Sequence, residues 1–210
     1  MLVKRRSPRP AKDMHPTKRA LIDTVVAMLD QMPVEQVTCD AVLDASGISR
    51  GSLYYHFVDF GDLVEHALAL RFSRSVDELI AQFQGSLASA HSADEFRQSW
   101  LALAVALHDP SGTQQRFDRT VPYAAAASSE RFRTMLGVEQ QRLTDAHAEV
   151  LRSAQDRGWI SKEFDAESLS VLMQAFALGS VIDDVTPRRT STRGWDTAVT
   201  ALLNRLLVTQ

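Results

Sequence analysis

The sequence predicts an all-α protein of about nine helices, in which a small N-terminal unit of three helices precedes a larger helical domain. Apolar residues recur at helical spacing, and no strand-length alternation competes with this period. The first such stripe comprises Leu21, Val25, Met28, Leu29 and Met32. Two short segments with helix-capping residues then flank a glycine, a spacing typical of a helix-turn-helix. We therefore expect two domains, residues 1–58 and residues 59–210.

Helix start and stop signals divide the chain in order. A first helix ends at Pro33, a second follows Thr38 and ends at Gly47, and a third follows Ser49. A long amphipathic helix opens at Asp59 and is expected to end in a linker at residues 85–92. Beyond it, a capping-box pattern at residues 92–95 starts another helix, and a long helix is expected over about 129–157. Asp165 caps the next helix, and a final helix follows the loop at residues 188–194.

Composition and charge restrict the possible partners. With 210 residues and 45% hydrophobic residues, the chain can bury a substantial core. The net charge of -3 argues against nucleic acid as a partner. However, residues 1–19 hold seven Lys and Arg against one Asp, which gives this segment a charge of +6. The only cysteine, Cys39, excludes an intramolecular disulfide. The densest apolar run, residues 100–107, is too short to cross a bilayer, so we expect a soluble cytoplasmic protein without a membrane partner.

One gap-free segment carries the most specific signal. Residues 38–57 read TCDAVLDASGISRGSLYYHF, which resembles the DNA-binding signature of the tetracycline-repressor (TetR) family, most specifically at residues 51–57. The resemblance covers the first third of the chain, and the number and lengths of the later helices also resemble that family. It implies a transcriptional regulator, expected to be a repressor, that binds double-stranded operator DNA as a homodimer at a pseudo-palindrome.

The resemblance also implies roles for individual residues. Arg50 has the planar fork that pairs bidentately with a guanine edge. Leu53 and Phe57 are expected to pack inward, whereas in the alternative interpretation Tyr54 and Tyr55 are half-buried aromatic residues. The expected DNA-contacting residues are Thr38, Ser49, Arg50, Gly51, Ser52, Tyr54, Tyr55 and His56.

One departure from the family concerns the start of the fourth helix. The family commonly places phosphate-binding lysines there, but this chain has Val58, Asp59, Phe60, Gly61 and Asp62. The basic arm, residues 4–12, is a candidate to replace those contacts by following the DNA backbone. The alternative is that the arm is a solvated tail.

A ligand cavity is expected in the second domain, because polar residues interrupt apolar helical stripes there and the family binds ligands among these helices. An apolar or amphipathic small effector fits such a lining. The alternative is ordinary core packing with hydrogen-bonded histidines. The candidate lining residues are Trp100, His108, Phe117, Tyr123, Phe132, Met135, Glu139, His147, Met173 and Phe176.

The last two helices carry an apolar stripe with small residues, which permits close helix packing between two subunits. In the alternative, these helices cap the core of a monomer. The expected dimer-interface residues are Leu169, Ala175, Gly179, Val199, Leu202 and Leu206.

Nothing in the sequence indicates catalysis, a cofactor or a metal. The chain lacks a phosphate-binding glycine loop, an HExxH motif, a Cys/His cluster with metal-ligand spacing and a nucleophile motif. The alternative to a regulator is a helical ligand-binding or interaction module whose degenerate helix-turn-helix does not bind DNA specifically.

Overall fold

A computed structural model describes the backbone of residues 14–207 and the side chains of residues 14–205. Within this range the chain forms α-helices and short 3₁₀ turns and no strand, which confirms the all-α prediction. The described helices are α1 (Pro16–Leu29), α2 (Cys39–Ser46), α3 (Arg50–His56), α4 (Phe60–Ser89), α5 (Ala93–Ala106), α6 (Thr113–Ser128), α7 (Glu130–Asp156), α8 (Ala166–Gly179) and α9 (Thr192–Leu207). A 3₁₀ segment, Ser180–Val185, follows α8 directly.

Packing divides the chain into two compact units, residues 1–71 and residues 72–210. The division falls inside α4, whereas the sequence suggested residue 58 as the end of the first domain. The first turns of α4 therefore belong to the N-terminal unit, where Leu63 and Ala67 are fully buried. The basic arm expected at residues 4–12 lies outside the described residues.

The N-terminal unit is built on α1, which contacts both α2 and α3. Its core consists of apolar side chains at the helical spacing predicted for α1, together with single inward residues from the two short helices. The fully buried members are Leu21, Val25, Val42 and Leu53. Burying one such aliphatic side chain contributes about 1.5–3 kcal/mol, so this small core suffices to orient α3.

The C-terminal unit is organised around α7, which packs against α6 and α8, while α5 packs against α9. Its core is rich in large apolar residues, with Phe96, Trp100, Leu151, Ile160 and Leu169 among the buried members. Asp165 caps α8 by accepting a hydrogen bond from the Ser168 amide at 2.7 Å, as predicted. Such caps satisfy amides that would otherwise lack an intrahelical partner.

The linker predicted at residues 85–92 is largely helical. α4 continues to Ser89 through Gly85, and only residues 90–92 separate it from α5. Phe83 and Leu87 pack against the core of the C-terminal unit. This packing offsets the cost of about 1 kcal/mol for a glycine inside a helix, which is why the glycine does not end it.

Candidate nucleic-acid interface

Local capping positions the two helices of the motif. The Thr38 hydroxyl accepts a hydrogen bond from the Ala41 amide at 3.3 Å, and the Ser49 hydroxyl accepts one from the Ser52 amide at 3.2 Å. Gly47 ends α2 with φ at 66°, in the left-handed region that glycine adopts without a steric penalty. The chain therefore turns sharply between α2 and α3, as a helix-turn-helix requires.

The two faces of α3 differ sharply in exposure. Leu53 and Phe57 are buried, which confirms the inward packing expected for them. Tyr55 is 83% exposed, and Tyr54 is about half exposed. The half-buried alternative is therefore wrong for Tyr55. Arg50 and Gly51 are exposed as well, and an added Cβ at Gly51 would meet nothing within 4 Å.

Arg50 has a partner that the sequence did not reveal. Its guanidinium forms an ion pair with Asp40 on α2, and its Nη1 lies 3.8 Å from the Cys39 Sγ. Both members of the ion pair are largely exposed, so solvent screens the pair and it holds Arg50 only weakly.

The two aspartates at the start of α4 have a structural role. The Asp59 Oδ1 accepts a hydrogen bond from the Asp62 amide at 2.6 Å, and the Asp62 Oδ2 accepts one from the Val58 amide at 3.0 Å. Carboxylates suit a helix N-terminus because they pair with its free amides and its positive dipole end. The departure from the family's lysines thus produces a capped helix.

The ten residues expected to line a ligand cavity do not form one group. Trp100, Phe132 and His147 are buried in the C-terminal unit, whereas Phe117 lies partly exposed on α6. Glu139 forms an ion pair with Arg142, which also binds Asp77, so Glu139 is not the free polar handle that we expected. Met135 and Met173 are partly buried.

Two aromatic rings stack on the buried His147. The His147 ring lies against Phe83 with centroids 4.1 Å apart and against Trp100 with centroids 5.1 Å apart. Burial lowers the pKa of His147 to about 4, so the ring is neutral at pH 7. The Trp100 Nε1 and the His147 Nε2 are buried and have no hydrogen-bond partner among the described residues.

A chain of polar side chains leads to this histidine. The Tyr123 hydroxyl donates to Gln140 at 2.7 Å, and the Gln140 amide donates to Gln174 at 2.6 Å. Gln174 donates to the Ser170 hydroxyl at 3.0 Å, and that hydroxyl lies 3.1 Å from the His147 Nδ1. Sequence reasoning found Tyr123 and His147 but missed the three residues between them, which come from two different helices.

The buried His108 belongs to a separate ionic cluster. The His108 Nε2 lies 2.7 Å from Asp183, and its ring stacks on Trp195, which in turn stacks on Phe176. Nearby, the Asp184 carboxylate accepts two hydrogen bonds from Arg116, which holds the pKa of Asp184 down at about 2. Sequence reasoning missed this ion pair, since its members lie 68 positions apart in the chain.

The expected dimer interface is partly corrected. Leu169 and Val199 are buried in the chain's own core, so they are unavailable to a second subunit and were wrongly assigned to the interface. Ala175 and Leu202 are exposed, Gly179 is partly exposed, and the side chain of Leu206 lies outside the described residues. The exposed apolar residues of this region are Val171, Leu172, Phe176, Ile182, Val185 and Leu202, hereafter the apolar face.

The stretch Ala166–Val185 is also long and apolar enough, by length and composition, to cross a membrane, and 17% of it is buried. The continuous α-helix within it, Ala166–Gly179, has only 14 residues. Asp183 and Asp184 at its end are held in ion pairs with His108 and Arg116. A spanning helix needs about 20 residues without such charges, so this stretch is better interpreted as exposed apolar surface than as a membrane span.

Among the described residues, no three His, Cys, Asp or Glu side chains are grouped so that they could hold a metal ion. The nucleic-acid motif and the buried aromatic and ionic groups are therefore the features with evident chemistry. They define an all-helical protein with an N-terminal helix-turn-helix and a separate C-terminal helical unit.

Comparison with known proteins agrees with this class. No protein-family model matches the chain. The HTH-type transcriptional regulator UidR of Escherichia coli K12 is 22% identical over 171 residues, covering 81% of this chain and 83% of UidR. The "Probable acrEF/envCD operon repressor" of the same strain is 25% identical over 172 residues, covering 79% of this chain and 74% of the repressor.

A solved structure defines the fold more closely. A TetR-family transcriptional regulator from Cytophaga hutchinsonii matches with a TM-score of 0.64 at 11% sequence identity, covering 95% of this chain and 100% of that one. The chain therefore has the fold of the TetR family, as the resemblance in residues 38–57 implied.

Proposed function

We propose that this protein is a ligand-responsive transcriptional regulator, acting as a repressor, that binds a pseudo-palindromic operator as a homodimer. The observation that carries this proposal is the division of α3 into a buried face, with Leu53 and Phe57, and an exposed face, with Arg50 and Tyr54. A recognition helix needs this division, because one face must be fixed while the other enters the major groove. The similarity to bacterial regulators and to a named repressor supports the same function.

The expected DNA contacts follow from position on the two helices. Ser49, Arg50, Ser52 and Tyr54 face the groove, and Gly51 permits close approach to it. Thr38, Tyr55 and His56 contact phosphates. Two such helices, one from each subunit, then meet successive major grooves about 34 Å apart. Binding to chromosomal DNA places the protein in the cytoplasm.

Selection of bound sequences from a random DNA pool tests this function. We expect an enriched palindrome, and Arg50→Ala should weaken binding to it about 5- to 150-fold while relaxing one base preference. Arg133→Ala is a matched control, because its side chain is 55% exposed against 54% for Arg50 and it also pairs with a neighbouring carboxylate. A pool without enrichment, or equal losses for Arg50→Ala on operator and random DNA, would contradict sequence-specific binding.

The dimer forms through the apolar face, in this proposal. Its members lie on α8, on the following 3₁₀ segment and on α9, the last two α-helices of the chain and the turn between them. Ala175 lies among them and permits close approach of a partner helix. A second copy of the chain would cover this surface in a two-fold symmetric arrangement.

The effector is a small apolar or amphipathic molecule that binds in the C-terminal unit. The rings of Phe83, Trp100 and His147 offer an apolar surface, and the unpaired Trp100 Nε1 and His147 Nε2 offer hydrogen bonds to a polar group. Phe83 lies on α4, which also supplies residues to the N-terminal unit. A ligand that favours one position of α4 therefore biases the spacing of the two recognition helices.

Coupling between effector and operator is measurable in both directions. A thermal-shift screen identifies ligands, and operator titration with and without each ligand should show affinities that differ about 5- to 150-fold. Operator DNA must weaken ligand binding by the same factor. Trp100→Phe, which removes the Nε1 donor and keeps an aromatic ring, should weaken ligand binding. A ligand that needs Trp100 yet leaves operator affinity unchanged would refute the coupling.

A further inference from the structure

Two histidines and a lysine lie together beside the end of the recognition helix. The rings of His15, just before α1, and His56, the last residue of α3, have centroids 4.6 Å apart. Lys18 on α1 places its Nζ 5.0 Å from the ring centroid of Phe57, the residue after His56. No carboxylate among the described residues pairs with His15, Lys18 or His56. We call His15, Lys18 and His56 the basic triad.

A hydrogen bond orients the His15 ring. The His15 Nδ1 accepts from the Thr17 amide at 3.2 Å and caps α1. The Nε2–H on the other side of the ring can therefore donate to an anion.

The neighbouring charged and titratable groups have partners of their own. The Lys18 Nζ lies 3.3 Å from the His66 Nε2, and the His66 Nδ1 lies 2.8 Å from the Asp62 backbone oxygen and 3.2 Å from the Asp62 carboxylate. Asp59 and Asp62 on α4 also cap that helix. The Tyr55 ring lies edge-on to the His56 ring, with centroids 5.0 Å apart.

Electrostatics disfavours the charged form of His56 while no anion is bound. Burial, followed by the nearby His15 and Lys18, lowers the pKa of His56. An anion bound beside these groups would reverse the effect of the like charges, because it attracts a positive imidazole. Binding an anion here is therefore linked to the uptake of one proton.

We propose that the basic triad binds a DNA-backbone phosphate and that His56 takes up a proton when it does. The inference rests on the proposed function and extends it to His15, Lys18 and a proton. Phosphate is the expected anion because the triad adjoins the exposed α3 face with Tyr55, and because phosphate oxygens accept charged hydrogen bonds strongly. The triad also supplies positive charge close to the start of α4, where the family's lysines are replaced by aspartates.

The sign of the pH dependence follows directly. Since DNA binding takes up a proton at His56, the affinity rises as pH falls, and it levels off once His56 is already protonated in the free protein. One proton per subunit changes the association constant by at most about tenfold per pH unit, or about a hundredfold for a dimer. We expect affinity for a duplex to increase at least about threefold from pH 7.5 to pH 6.5 at fixed ionic strength.

Fluorescence anisotropy with the selected operator and with a random duplex, over pH 5.5–8.5, tests the proposal. His56→Asn should bind more weakly at pH 6 with little change at pH 8, and His56→Lys should bind independently of pH. Lys18→Gln should weaken binding at every pH and reduce the slope of log K against log salt by about 0.9 for each phosphate that it no longer neutralises. His91→Asn is the matched control, since His91 is exposed in the C-terminal unit.

Two outcomes overturn the proposal even when the variants fold normally by circular dichroism. One is a His56→Asn protein that keeps the wild-type pH slope, and the other is an unchanged salt slope for Lys18→Gln. An enriched palindrome bound without pH dependence refutes the basic triad alone, whereas binding to no duplex refutes both the triad and the proposed function.

Nuclear magnetic resonance distinguishes the source of the phosphate. A short duplex should raise the pKa of His56 in a pH titration of the protein. A rise caused by inorganic phosphate alone, with none caused by the duplex, would overturn the assignment to the DNA backbone.

Discussion

Replacing Arg116 with methionine should strongly destabilise the C-terminal unit. The Arg116 side chain is 3% exposed and that of Asp184 is fully buried. Arg116 donates to both Asp184 oxygens, to the Thr113 hydroxyl at 2.9 Å and to the backbone oxygens of Leu107 and Asp109 at 3.0 and 2.8 Å. Methionine fills much of the volume but leaves Asp184 charged and buried.

The size of the effect can be worked out from these contacts. Removing one member of a buried ion pair costs about 3–5 kcal/mol. Arg189 keeps its Nη2 3.2 Å from Asp184, which places the expected loss near the lower limit, about 3 kcal/mol. For a protein of this size that corresponds to a fall of about 6–12 °C in the melting temperature.

Urea and thermal denaturation measure this loss against a matched control. Arg152→Met removes an exposed pair with Glu149 and should cost under about 1 kcal/mol. The double variant Arg116→Met/Asp184→Leu should recover much of the stability, since neither charge then remains buried. Equal losses for Arg116→Met and Arg152→Met would refute the reasoning from burial.

The pH dependence of the Arg116 effect has a definite sign. The pKa of Asp184 is depressed to about 2 by its hydrogen bonds to Arg116, so the stabilisation is complete above the ordinary aspartate pKa of about 4. It is lost only as pH falls towards 2. The contribution of Asp184 to the unfolding free energy of the wild type should therefore stay constant from pH 8 to pH 5 and decline in stronger acid.

Two further predictions concern assembly and the basic arm. Leu172→Glu places a charge on the apolar face, where Leu172 is 60% exposed. It should convert a dimer to monomers, as measured by chromatography with light scattering. The control Val138→Glu, at a 66% exposed site on α7, should leave the dimer intact. An unchanged dimer with Leu172→Glu would exclude this face. Deleting residues 1–12 should weaken binding to all duplexes and reduce the salt slope by about 0.9 for each phosphate that the arm neutralises, whereas an unchanged slope would assign the arm no backbone contact.

The DNA-binding motif was predictable because its determinants are local. Thr38, Gly47 and Ser49 act within three or four residues of themselves, and Leu53 and Phe57 repeat at helical spacing. The sequence therefore specified the start of α3 as the structure has it. By contrast, α4 passes through Gly85 because of distant packing by Phe83 and Leu87, which no local pattern reveals.

The C-terminal unit was less predictable because its contacts join distant parts of the chain. His108 was recognised as an unusual residue on an apolar stripe, but its partner Asp183 is 75 residues away. Glu139 looked similarly unusual, yet Arg142 one turn later neutralises it. A polar residue on an apolar stripe thus predicts that a partner exists without identifying it.

The ion pair between Asp40 and Arg50 bears on discrimination between DNA sequences. A phosphate that draws Arg50 away from Asp40 exchanges one anionic partner for another, and the net gain is small. A guanine edge offers two aligned acceptors and therefore repays the exchange. Because Asp40 penalises every contact of Arg50 by the same amount, the ratio of the affinities for two DNA sites is unchanged. Both absolute affinities fall, so at a given protein concentration the weaker contacts are lost first. Asp40 would thus set a threshold of occupancy that only a correctly placed base pair exceeds.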